Sequence, residues 1–224
     1  MMGVIAVHFL HTELNMIQQE IKNGLSNAWQ YLLAKFLLTL PIVTLGFSLS
    51  ALGIPMFAIQ RFPGTVFFET ILQWSLIIYL FESVAECCAA WAPNSIIGML
   101  GNLTYWILSF LFGGIFLPPE DIYWPLKAAY YALPFNYYTQ SIVNVVIPKM
   151  EYSPCNPGEE MSVICVESGN GDDVAQALMN FFPVTKQPDS VRDALILFGM
   201  IVIIKLLYIV GVVWKSQRVQ KMNS

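Results

Sequence analysis

Three ionisable side chains stand where a chain can least easily hold them. Glu82 and Glu86 lie within one long apolar run, and Lys205 lies within another. The spacing of the two carboxylates puts them on one helix face, a single turn apart. Charges inside apolar spans are costly, and they face the protein interior, paired or in use. Two chemistries fit them. In the first, Lys205 forms an interhelical ion pair with a carboxylate, or the carboxylates hold protons against a neighbouring helix. In the second, the carboxylates take part in substrate passage or proton movement.

Other reactive residue types have simpler readings. Cys87 and Cys88 sit inside the same apolar run as the two glutamates and read as small packing residues. His8 and His11 are the only histidines and stand apart from other ligating side chains, so no metal site is expected. Asn102-Leu103-Thr104 matches a glycosylation triplet, but it falls in the middle of an apolar segment. The chain has no Walker-type glycine-lysine loop, no Gly-x-Ser-x-Gly and no zinc pattern. It carries no visible machinery for ATP hydrolysis or other covalent chemistry.

The elements that must position these groups follow from composition. Hydrophobic residues make up 56% of the 224 positions and charged residues only 12%. Soluble domains carry about 25% charged residues, so the chain reads as an integral membrane protein. Its net charge of −4, without basic blocks, argues against a nucleic-acid partner. Crossing ~30 Å of hydrocarbon takes ~20 apolar residues in a helix. Runs of that kind occupy residues 28–52, 65–91, 96–117 and 194–214. The first is kinked at Pro41, and the second ends at Ala92-Pro93-Asn94.

Around these spans the pattern changes. Residues 1–11 are apolar but short, and read as the tail of a helix that begins earlier. Leu14, Ile17, Ile21 and Leu25 then recur at helical spacing, with polar residues between them. After the third span, Gly113-Gly114 and Pro118-Pro119 break the helix. The aromatic stretch that follows is cut by Pro125 and Pro134, so it reads as a helical hairpin dipping back into the membrane. A polar stretch over 148–193 leads to the last span. The basic tail with Lys215, Arg218 and Lys221 places the C-terminus in the cytosol. Four spans then put the N-terminus on the same side and the polar stretch outside. Cys155 and Cys165 lie in that outer stretch, where an oxidising compartment favours a disulfide between them over two free thiols.

The order of these features resembles a known family. A span ending in GGIFLPP, a short aromatic helix, and then ALPFNYYTQSIV are similar to the second half of the membrane domain of ABC exporters. The subfamily is the G, or pleiotropic-drug-resistance, type. The passage ELNMIQQEIKNGLSNAWQYLLAKFLLTLP also resembles that family, including its helix-kinking Pro41, although Thr39 stands where the family usually has an acidic residue. The resemblance covers about 13–214 and is strongest over 92–143. It implies a whole transporter with two membrane halves, a substrate cavity between them, and ATP with Mg on a separate nucleotide-binding domain. It also implies lipophilic substrates such as drugs, sterols or lipids, and a multi-pass protein of the plasma membrane. By the same resemblance, Leu103, Ile107 and Phe110 would line the cavity, and Ile115 with Phe116 would form a valve at its outer end.

The expected fold is therefore all-α and integral to the membrane. It has about four transmembrane helices, an N-terminal amphipathic helix and a re-entrant extracellular helical hairpin. Its parts are a cytosolic connecting helix (1–27), three spans with the hairpin (28–147), an extracellular loop (148–193), and the last span with a cytosolic tail (194–224). Two other classes share parts of this layout: a four-span, tetraspanin-like scaffold, and an ion channel using Glu82 and Glu86 as pore acids. The scaffold's Cys-Cys-Gly loop motif does not occur here.

Overall fold

The apolar runs fold as helices in a computed structural model of the chain. The structure describes residues 2–39, 46, 64–113, 122–142 and 190–221. Among them are seven helices and no strand: α1 (Met2–Lys22), α2 (Ala28–Thr39), α3 (Gly64–Trp91), α4 (Ser95–Leu111), α5 (Leu126–Ala132), α6 (Pro134–Ser141) and α7 (Ser190–Lys221). By length and composition, Phe67–Trp91 and Val191–Gln217 can each cross a membrane, and Ser95–Leu111 is a shorter apolar helix. Of the expected first span, α2 and Gly46 lie within the described residues. The protein is thus an all-helical membrane protein.

Local sequence sets the helix ends. After α1, Gly24 adopts a positive φ of 72°, which glycine reaches without a Cβ clash. This lets the Leu25 N–H bond back to the Glu20 carbonyl at 3.0 Å. Asn94 starts α4, its side-chain oxygen accepting the Ile97 N–H at 2.9 Å. Between α5 and α6, Leu133 is extended, and Pro134 opens α6 where a missing N–H costs nothing.

The chain divides into two compact units. The first comprises Met1–Gly46, Ile78–Ile107 and Phe198–Ser224. Its core gathers Val7, Leu10 and Leu14 of α1, Ala85 and Ala89 of α3, and Val212 of α7. Alanines one turn apart let helices approach closely. Two glycines serve the same end. A Cβ on Gly98 would lie 3.0 Å from Val7 Cγ1, and one on Gly211 would lie 2.8 Å from Trp91 Nε1. Trp91 uses the space at Gly211 to donate its indole N–H to the Leu207 carbonyl at 3.0 Å, and it stacks on Trp214.

The second unit comprises Phe47–Ile77 and Leu108–Leu197. The pair α5–α6 belongs to it. Tyr130 is fully buried there. Gln140 donates to Asn136 Oδ1 at 2.7 Å, and the Tyr137 hydroxyl donates to the Tyr131 carbonyl at 2.9 Å. Phe135 packs edge-on against Phe110, in space left by Gly113, where a Cβ would lie 2.7 Å from the Phe135 ring. The aromatic residues of this stretch pack around two short helices separated at the extended Leu133.

Candidate functional site

The first unit holds a cluster of charged side chains among apolar helices. Within α3, an uninterrupted helix with no internal proline, Glu86 is completely buried. Lys205, on α7, donates to Glu86 Oε2. The Lys205 ammonium also lies 4.7 Å from the centre of the Tyr79 ring and 5.9 Å from that of Tyr208, so ring faces replace part of its lost hydration. The other carboxylate oxygen, Glu86 Oε1, is buried without a hydrogen-bond partner. Removing two charges from water costs several kcal/mol each, roughly offset by their mutual attraction. The pair therefore fixes which helices meet rather than adding much net stability.

A second pair lies in the same unit. Lys35 of α2 donates to Glu13 Oε2 of α1 at 2.7 Å, and the Tyr31 hydroxyl donates to Glu13 Oε1 at 3.2 Å. Lys35 is a charge near the start of the first apolar run. Its position one turn after Tyr31 was the available signal, since both side chains then share a helix face. A cavity of about 400 Å³ lies here, with Lys35, Glu86 and Lys205 in its wall beside Trp29, Leu33 and Phe36. Nothing in the spacing of these residues announced it.

The remaining candidates fall in different places. Glu82 is half-buried one turn before Glu86 and forms no ion pair among the described residues. Leu103 and Ile107, in the first unit, are exposed, as is Phe110 in the second. Ile115, Phe116, Cys155 and Cys165 lie outside the described residues. Cys87 and Cys88 are free thiols, both half-buried. His11 Nδ1 sits 3.1 Å from the Ala89 carbonyl. No group of side chains that could hold a metal ion occurs among the described residues. Asn102, first residue of the glycosylation triplet, is completely buried.

What this arrangement can do is hold charge within an apolar helix bundle and leave a part-apolar cavity beside it. It offers no nucleophile–base pair and no phosphate cradle among the described residues. No curated protein matches the chain. The family model for the ABC-2 type transporter, ABC2_membrane, matches residues 1–147. The chain belongs to the ABC-2 type transporter membrane-domain family, and is a permease component of an ABC transporter.

Proposed function

We propose that the chain is part of the membrane domain of an ATP-driven exporter of the G, or pleiotropic-drug-resistance, type, which moves lipophilic substrates such as drugs, sterols or lipids. The observation that carries this reading is the open face of α4. That helix has no charged residue, and Leu103, Ile107 and Phe110 are 41%, 51% and 46% exposed. Steps of four and three residues keep them on one side of the helix. An apolar face of this kind suits a cavity completed by a second membrane half, because lipophilic cargo gains apolar contact there. Ile115 and Phe116 follow as the valve at its outer end. A dry constriction of bulky apolar side chains blocks leakage without burying a charge.

In this reading α1 receives the motion of a separate nucleotide-binding domain, which carries ATP and Mg. Both termini are cytosolic, the membrane is the plasma membrane, and Cys155 pairs with Cys165 outside. The channel alternative is disfavoured by Glu86, which is buried and paired with Lys205 instead of facing a pore. The test uses the complete transporter in vesicles. Ile115→Ala combined with Phe116→Ala should alter transport per ATP hydrolysed at near-normal surface expression. Leu103→Trp should lower transport of the bulkiest substrates most. Unaltered coupling and unaltered substrate range in these variants would assign the residues to packing and defeat the reading.

A further inference from the structure

We infer that the cavity beside the Glu86–Lys205 pair is a binding site for a neutral lipophilic alcohol. Every residue of its wall belongs to the first unit of this chain. The size fits, since its volume of about 400 Å³ falls in the range of ~300–1,000 Å³ typical of small-molecule sites. The wall beside the mouth is apolar: Trp29, Leu33 and Phe36 are 61%, 64% and 50% exposed, and all three line the cavity. A hydrocarbon skeleton would be accepted there.

The polar wall selects the headgroup. Both ammonium groups in it already have a carboxylate, Lys35 with Glu13 and Lys205 with Glu86. A charged ligand would add an uncompensated charge in a poorly hydrated place, which is costly. A pure hydrocarbon would leave the spare bonding capacity of the pair unused. Glu86 Oε1 is an acceptor with no donor. The Lys205 ammonium has three N–H groups, of which one serves Glu86 Oε2. The complementary neutral group must therefore donate to the carboxylate and accept from the ammonium. A hydroxyl does both, an ether only accepts, and an alkane does neither.

The experiment uses the full chain in lipid nanodiscs and a dodecanol that carries a photoactivatable diazirine in its chain. Binding is read without ATP or transport, so failure of the exporter reading and failure of this site are separate results. Peptide mapping after irradiation should place the label in α2 around Leu33 or in α7 around Ile209. Unlabelled dodecanol should compete, and dodecyl methyl ether should compete at least tenfold less well. Leu33→Trp fills the mouth at an exposed position, leaves both ion pairs in place, and should reduce labelling at least fivefold. Equal competition by the ether would overturn the choice of headgroup. Label elsewhere in the chain, or labelling unchanged by Leu33→Trp, would overturn the site.

Discussion

Replacing Lys205 by methionine is the sharpest probe of the ion pair. Glu86 is 0% exposed and the Lys205 side chain is 14% exposed, so solvent screens the pair little. Among the described residues, Lys205 is the partner of Glu86 Oε2, and Oε1 has none. Lys205→Met would therefore leave a buried carboxylate with no compensation, a change that costs about 3–5 kcal/mol. In a chain of this size each kcal/mol moves the melting temperature by about 2–4 °C, so the expected fall is about 6–20 °C. Adding Glu86→Met removes the stranded charge. The double variant should recover most of the loss, because two apolar side chains of similar volume replace a buried pair at little net cost. Recovery should stop short of complete, since the cation–π contacts with Tyr79 and Tyr208 go as well, worth about 0.5–2 kcal/mol. The assay is thermal melting of detergent-purified protein, followed by fluorescence-detected size exclusion, with Glu82→Gln as a comparison. That half-buried carboxylate has no ion pair among the described residues, so its loss should move melting far less. If Lys205→Met melts with the native protein, or if the two single losses simply add in the double variant, the pair is not the coupled unit described.

Three further outcomes are expected. Gly211→Leu should drive its side chain into the Trp91 indole, 2.8 Å from the first added atom, and break the bond to Leu207; the cost is about 1–3 kcal/mol, read as a lower melting temperature that Trp91→Ala partly restores. Non-reducing peptide mapping of freshly purified protein should find Cys155 linked to Cys165, and two free thiols would remove that bridge. Membrane-impermeant thiol labelling of intact cells should mark Cys155 in a Cys165→Ser variant but not a cysteine placed at Ser224; the opposite pattern would invert the proposed topology.

Several features were legible in the residues alone. Composition and the lengths of apolar runs specified a helical membrane protein, because a bilayer demands ~20 apolar residues for each helical crossing and leaves few other solutions. Pro134 marked a helix boundary, because a missing N–H acts through immediate neighbours. The same periodicity put Glu82 and Glu86 on one face. It could not say which of them takes Lys205.

That choice belongs to the tertiary structure. Glu86 and Lys205 are 119 residues apart in sequence, and their meeting depends on how far α3 and α7 slide along each other. One helical turn of slippage is ~5.4 Å, enough to exchange one glutamate for the other. Packing sets that register. The space at Gly211 admits Trp91, whose indole then bonds to the Leu207 carbonyl, while Ala85 and Ala89 allow close contact in the same core. The cavity arises in the same way, from side chains on separate helices that no local pattern connects. Local chemistry thus determined which segments become helices and where they stop, whereas the long-range fit of small and large side chains decided which charges meet.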